Sequence, residues 1–409
     1  MRPLPARSAG APCFALVLLA ASGACARAAD SEAQLAPVVV QATAIPGASL
    51  DADLVPGDVQ TVSAADISRH GSPSLTGALS RGLASVNLSD NLDDPFQPDI
   101  LYRGFQASAV LGTPEGLAVY ENGVRINEAF GDAVNWDLIP SLAIEHVSIV
   151  SSSPVYGLNA LGGGVAVRMK NGFSYPRDGS GGRHGGDAQL DGGSFEQRAG
   201  TAQYGAHGAH LGVYVTADVL NQDGWREFTH DSLRRLYAVA SARFPSASFD
   251  LSYSGARNSL EGQGAAPVQE LAISPRLVFT NPQANLNRLN FLILNGSFVL
   301  GQDAALQLVL YDREFRQAVS NGDNSDYSAC SHETALCQAD GVTPLTNSAG
   351  QLLPDISAGG SLTLGQNDFE RIHAYGRGAA LQFSDSMRLG GHDNHFSAGA
   401  SFDDATTDF

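Results

Sequence analysis

Basic residues are scarce in this chain of 409: 24 lysines and arginines stand against 42 aspartates and glutamates, a net charge of -18. A surface so poor in cations excludes nucleic acid as a partner, because phosphate binding needs a basic face. Long apolar runs are missing too. Beyond the first thirty residues no stretch of about 18 consecutive apolar residues occurs, so no membrane-spanning helix follows. There is no Gly-x-Ser-x-Gly, no His-Glu-x-x-His and no P-loop, so no enzyme is expected. Cysteine is limited to four residues, and Cys13 and Cys25 fall in the first thirty. That leaves Cys330 and Cys337, close together in a polar stretch, and an exported chain favours a disulfide between them. His332 lies between them, but two sulfurs and one imidazole are too few for a closed zinc site. Neither metal nor cofactor is expected.

What the N-terminus does contain is an export pattern. Arg2 and Arg7 make a basic start, Phe14 to Ala21 an apolar core, and Ala24-Cys25-Ala26 or Ala26-Arg27-Ala28 a small-residue cleavage site. Residues 1–29 are therefore read as a signal peptide. A buried helix is one alternative. A lipidated Cys25 is another, although Ser22 stands where an aliphatic residue belongs.

Residues 51–172 read as a small α+β domain. Ser63-Ala-Ala-Asp66 has the form of a capping box before a short helix that Gly71 can stop. Ser72-Pro73 opens a second helix with Leu75, Leu79 and Leu83 on one face. Leu117–Tyr120 and Val124–Ile126 flank Asn122-Gly123, a strong hairpin signal. Val147 and Ile149, and later Val165, Val167 and Met169, alternate as strands do. The helices are too short for a doubly wound fold. Residues 171–186 hold six glycines, and 173–186 are read as a flexible linker.

From 187 to 409 the texture changes. Leu211, Val213, Val215, Ala217 and Val219 alternate with His210, Gly212, Tyr214, Thr216 and Asp218. Phe249, Leu251 and Tyr253 alternate with Asp250, Ser252 and Ser254, and Phe396, Ala398, Ala400 and Phe402 with Ser397, Gly399 and Ser401. Segments of about ten residues with period two, joined alternately by short and long connections, are how a transmembrane β-barrel is written. Nine are expected, near 187–192, 194–204, 209–219, 232–244, 247–257, 287–299, 304–316, 369–383 and 394–403. A soluble sandwich also alternates, but it has no reason to sort its loops by length. A barrel wide enough to hold a folded plug has about 22 strands, so an N-terminal portion of a longer protein is expected.

Three stretches then fall into order: Pro37-Val-Val-Val-Gln-Ala42, Leu101-Tyr-Arg103-Gly104-Phe105, and Ser153-Pro-Val-Tyr156-Gly157 running on to Gly162-Gly163-Gly164-Val165. With export and alternating strands, the chain resembles a TonB-dependent outer-membrane receptor over essentially its whole length. The resemblance implies an α+β plug domain followed by an antiparallel transmembrane β-barrel in the bacterial outer membrane. It places an energy-coupling TonB box at Pro37, Val38, Val39, Val40, Gln41 and Ala42 (box and linker, 30–50). It places plug motifs at Arg103, Gly104, Phe105, Asn122, Gly123, Tyr156, Gly157, Gly162 and Gly163. Asn122-Gly123 replaces a frequent Asp-Gly and Ser152-Ser153-Pro154 a frequent Arg-Gly-Pro, which bears on the cargo more than on the mechanism. Arg103 is expected on a strand between apolar Leu101 and Phe105, so its charge needs a partner; by resemblance that partner is a barrel-wall carboxylate, and an exposed surface arginine is the alternative.

The function implied is import of a ferric siderophore or similar chelate by plug displacement, with TonB, small-molecule cargo and outer-membrane lipid as partners. Physically, a short extended segment can add itself as a strand to a partner's open sheet edge; alternatively, Val38–Val40 joins the plug sheet. Cargo contacts are expected at Phe130, Asp132 and Trp136, although Trp136 also suits a core. Asn321–Asp326 resembles half a calcium loop but lacks the glycine and distal glutamate. A signalling or adhesive receptor on the same scaffold is the alternative. About ten residues separate the expected signal peptide from the box, too few for the extra domain that a signalling receptor usually carries, so transport is favoured. A passive porin would leave residues 57–170 without a purpose.

Overall fold

The computed structural model describes residues 39–41, 45, 49–51, 57–69, 74–151, 156–175, 183–301, 303–332 and 334–409. The expected signal peptide, Pro37, Val38, Ala42, Gly71 to Pro73, Ser152 to Pro154 and the middle of the glycine linker lie outside the described residues.

The chain begins its described course with β1 (Val39–Gln41), which pairs antiparallel with β2 (Ser49–Asp51), Val40 opposite Leu50. β1 thus folds back on its own linker and does not join the domain sheet.

The small domain follows: β3 (Val59–Ser63), α1 (Ala64–Arg69), α2 (Leu75–Gly82), β4 (Val86–Ser89), β5 (Asp99–Tyr102), β6 (Phe105–Ala107), β7 (Leu117–Glu121), β8 (Val124–Arg125), β9 (Ile144–Ser151) and β10 (Gly163–Met169). The capping box closes in both directions, Ser63 N donating to Asp66 Oδ2 and Asp66 N to Ser63 Oγ. Ser74 caps α2, and Leu75, Leu79 and Leu83 are buried. One sheet runs in the order β3-β9-β10-β7-β8 and a second as β4-β5-β6. Asn122 and Gly123 both take positive φ, 47° and 91°, the twist that a two-residue hairpin needs.

The rest is one antiparallel sheet of nine strands in sequence order: β11 (His184–Gly192), β12 (Arg198–His207), β13 (Leu211–Gln222), β14 (Asp231–Arg243), β15 (Ala247–Glu261), β16 (Gln283–Val299), β17 (Ala304–Asn324), then β20 (Gly365–Asp385) and β23 (Phe396–Asp408). Two-residue strands β18 (Ser328–Ala329) and β19 (Leu336–Cys337) lie in the loop after β17, and β21 (Arg388–Leu389) and β22 (His392–Asp393) in the turn after β20. The number of strands agrees with the alternation; β11 begins three residues earlier than expected, and β16, β17 and β20 run longer. Asn321–Asn324 belongs to β17, so the calcium-like run is strand for most of its length. Among the described residues, β11 and β23 are edge strands.

The sheet wraps the small domain, and its two faces reverse the order of a soluble protein. On β13, Leu211, Val213 and Val219 are 65%, 49% and 48% exposed, while Tyr214 and Thr216 are buried. On β15, Leu251 is exposed whereas Ser252 and Ser254 are buried. The inward residues meet the plug, so the outward face is left apolar, as a wall against lipid requires. That apolar belt stops at one level. Tyr253, Leu292, Asp312 and Arg377 lie in one row across β15, β16, β17 and β20. On the short-turn side the outward rows are Leu294, Leu310 and Ala379, then Gly296, Leu308 and Leu381. On the long-loop side they become Asn290, Glu314 and Tyr375, then Arg257, Arg288, Arg316 and His373.

Candidate functional site

The seat of the plug in the wall is where the buried polar chemistry gathers. Ionised groups are rarely buried unless they are paired, and here the pairs cross from plug to wall. Glu128 follows the β7–β8 hairpin and receives two hydrogen bonds from Arg313 of β17, Nη2 to Oε1 at 2.6 Å and Nη1 to Oε2 at 2.9 Å. Their side chains are only 7% and 12% exposed.

Asp137 lies in a short 3-10 turn, Trp136–Leu138, and is fully buried. Its carboxylate accepts from Gln97 Nε2 of the plug, Asn258 Nδ2 of β15 at 2.8 Å and Asn287 Nδ2 of β16 at 3.1 Å. Arg235 of β14 donates to the backbone carbonyls of Asp137 and Ile139 while its Nε holds Asp218 at 2.8 Å. Burial pushes the Asp137 carboxyl up, and these amide hydrogen bonds and Arg235 pull it back.

Glu121, at the end of β7, accepts from Ser254 Oγ of β15 at 2.8 Å. Burial pushes its carboxyl up to about 7, against the pull of Ser254 and Arg313. Below it, Asn295 Nδ2 donates to the Asn122 carbonyl and Tyr237 Oη to the Lys170 carbonyl. An apolar cluster runs through the same seam, joining Trp136, Ile144 and Val147 to Tyr237, Phe291, Ile293 and Phe315.

At the long-loop end, the plug stretch 90–97 is held by loops 223–230 and 262–282. Arg226 Nη1 donates to Asp93 Oδ2, to the Gln263 carbonyl and to the Gly264 carbonyl, and Nη2 donates to the Leu277 carbonyl. Trp225 Nε1 donates to Asp93 Oδ1.

The residues singled out from sequence fall into three groups. Phe105 and the glycine run meet: a Cβ on Gly162 would lie 2.4 Å from the Phe105 ring, and one on Gly164 2.4 Å from the Tyr156 ring. Gly163, at φ 145°, would place a Cβ 2.3 Å from the Val150 carbonyl oxygen. Arg103 corrects an expectation. It sits in the β5–β6 turn with φ 51° and is not on a strand, and its partner is Asp58 of the plug itself, at 2.8 Å. The tight turn carries the side chain out of the sheet, so it is half-exposed and reaches no wall carboxylate among the described residues.

Of the three expected cargo contacts, Trp136 is buried and donates from Nε1 to the Ala107 carbonyl; it is core, because its ring fills the space beneath β6. Asp132 pairs with Arg125 and accepts from Asn159. Phe130 is 49% exposed and packs against Phe409. Cys330 and Cys337 are joined by a disulfide within the loop after β17.

Sequence reasoning missed Glu128, Asp137 and Arg313. The available signal was parity: Asn258, Asn287 and Arg313 occupy inward positions of their strands, where a lumen-facing polar residue needs a partner.

A compact α+β domain seated in an antiparallel wall with an apolar outer face defines the plug-and-barrel class. Residues 51–164 match the family model of the TonB-dependent Receptor Plug Domain. Solved structures with the same fold include the open form of the ferric-catecholate import receptor Fiu from E. coli K12, at TM-score 0.62 and 13% identity over 86% of this chain and 49% of that chain. The unliganded ferric citrate transporter FecA matches at TM-score 0.66 and 10% identity, over 87% of this chain and 48% of that chain. BauA, the ferric preacinetobactin receptor from Acinetobacter baumannii, matches at TM-score 0.63 and 10% identity, over 90% of this chain and 49% of that chain. No curated protein matches the chain. It carries a TonB-dependent receptor plug domain, and its fold is that of the TonB-dependent receptors. It spans about half the length of the solved receptors it matches.

Proposed function

We propose that the chain forms the plug and part of the barrel of an outer-membrane receptor that imports a scarce ferric chelate, with TonB pulling on the segment around Val39. The observation that carries this reading is the two-faced wall: its apolar face looks away from the plug, while its polar face holds the plug by buried pairs such as Glu128 with Arg313. A lumen filled in this way is shut, and the outer membrane has no ion gradient of its own to open it. Force from elsewhere supplies the missing work. Among the described residues β1 pairs along one edge only, which leaves its other edge for a strand of a partner's sheet.

Iron chelates are favoured as cargo because Fiu is a ferric-catecholate import receptor, FecA a ferric citrate transporter and BauA a ferric preacinetobactin receptor. Phe130 and Asp132 stay as candidate contacts. The test is Val39→Pro in the protein carrying its downstream sequence, with uptake and surface binding of radiolabelled ferric citrate and ferric catecholate measured in cells. Proline removes a backbone donor from the strand, so uptake is expected to vanish while binding persists. Undiminished uptake would refute the coupling role.

A further inference from the structure

Two long loops and the strand ends beneath them border an open cavity of about 500 Å³ whose lining includes no plug residue. Phe279 to Asn281 make one wall, and the end of β17, Thr363 and Leu364 of the second loop, and the start of β20 make the rest. Strand alternation shows which way it faces. Arg313 of β17 turns inward to Glu128, and Phe315 is buried beside the plug. β17 pairs with β20 without a break in register. Gly322 and Asn324 have the opposite parity, so they and their partners Asn367 and Gly365 lie on the outward face, while Asp323 and its partner Gln366 share the parity of Arg313, so the cavity straddles the rim of the wall. Gly322 N donates to the Pro282 carbonyl, so the segment that follows Phe279 runs beside the end of β17, and a Cβ on Gly322 would come 2.7 Å from the Asn281 backbone.

The height of the cavity follows from the belt. The Gly322–Asn367 pair is ten residues beyond the Asp312–Arg377 pair where the apolar belt ends. At roughly 3.3 Å per residue and a tilt of about 40°, that is roughly 25 Å past the lipid-facing zone.

The lining is chemically specific. The side-chain amides of Asn281, Asn324 and Asn367 make no hydrogen bond among the described residues, so each offers both donors and an acceptor. Phe279 is 44% exposed in the wall of the cavity, and Phe369, two residues from Asn367 on the same outward face, is 75% exposed. Asp323 is the one charged residue of the lining, and no lysine, arginine or histidine contributes. A ligand that fits has many hydroxyls on its edges, a flat C–H face for an aromatic ring, and no negative charge. We infer that this rim cavity binds a neutral saccharide, either free in the medium or displayed by an outer-leaflet glycolipid. The site is separate from the plug and does not depend on the import reading.

The test titrates the protein carrying its downstream sequence, in detergent, with maltotriose, with lactose, and with lipopolysaccharide core oligosaccharide that has been dephosphorylated and carboxyl-reduced to a neutral form. Saturable binding of at least one probe is expected. It should weaken tenfold or more in Phe279→Ala and in the double variant Asn324→Ala, Asn367→Ala, and stay unchanged in Arg257→Ala, on the outward face of β15. Thermal unfolding midpoints equal to the parent's keep misfolding apart from lost binding. Binding of maltotriose or lactose assigns the source to the medium; binding of the core oligosaccharide alone assigns it to the membrane surface. No saturable binding of any probe, equal affinity in the cavity variants, or displacement of the sugar by ferric citrate would overturn the proposal.

Discussion

Glu128 of the plug and Arg313 of the wall form a two-pronged ion pair at 2.6 and 2.9 Å, buried on both sides. Removing one partner of such a pair leaves an uncompensated buried charge, at a cost of about 3–5 kcal/mol. Arg313→Ala should therefore loosen the plug, read as faster proteolysis of residues 51–164 in detergent. Adding Glu128→Gln to it should restore part of the protection, because the orphaned carboxylate is gone. Equal proteolysis of parent and Arg313→Ala would show that the pair does not hold the plug.

Asp137 is acceptor only, and it faces three amide donors. Asp137→Asn introduces an NH2 group where only acceptors are useful, leaving at least one buried donor unpaired at about 1–3 kcal/mol. Hydrogen exchange should quicken across Trp136–Ala143 and at the facing strands β15 and β16. Exchange confined to the plug side would mean that the wall amides find other partners.

Stability should fall as pH rises, through Glu121. Burial lifts its carboxyl to about 7, whereas an unfolded glutamate titrates near about 4.3. Between these values the folded protein holds a proton that the unfolded chain has released. The contribution is full below about pH 4.3 and lost above about 7. Glu115, raised to about 8 by burial first and then by Asp132 and Asp99, acts in the same sense to slightly higher pH. The unfolding midpoint should drop between about pH 5 and 7, and Glu121→Gln should flatten part of that drop. Parallel curves for the two proteins would remove Glu121 from the account.

The glycine run separates two kinds of constraint. Gly157 has φ 70° with open space around it, so Gly157→Ala should cost only the left-handed penalty, about 1–2 kcal/mol. Gly163 combines φ 145° with a backbone oxygen at 2.3 Å from the added Cβ. Gly163→Ala should cost more than about 3 kcal/mol, since that oxygen belongs to the β9–β10 ladder and cannot swing aside. Urea midpoints of the two variants in detergent test the order; a reversed ranking contradicts the geometry.

Cys330–Cys337 closes a short loop, worth about 2–3 kcal/mol of chain entropy. Cys337→Ser should raise proteolysis within 325–364 without shifting the unfolding of the sheet. A lowered global midpoint would mean that the loop braces the wall.

The wall was legible because its signal repeats. Nine alternating segments with sorted loop lengths need no knowledge of what faces what, and Leu211 to Val219 declare their outward side by composition alone. The hairpin at Asn122-Gly123 and the capping box at Ser63 were legible because a few adjacent residues decide them. The seat was not. Which plug group meets Asn258 or Arg313 depends on distances in sequence of 121 and 185 residues, and no local pattern encodes such a meeting. Trp136 and Asp137 show the limit at its sharpest: adjacent in sequence, one packs into the core and the other faces the wall amides, a division that only the turn between them decides. Arg103 went astray for a related reason. Its apolar neighbours suggested a strand, yet Arg103-Gly104 turns the chain.

Arg226 fastens three things at once: the plug stretch at Asp93, loop 223–230 to which it belongs, and loop 262–282 through three carbonyls. Moving loop 223–230 therefore strains its hold on the other loop and on the plug's rim in the same stroke. One guanidinium is thus a shared clasp, and its loss would be felt at all three places together.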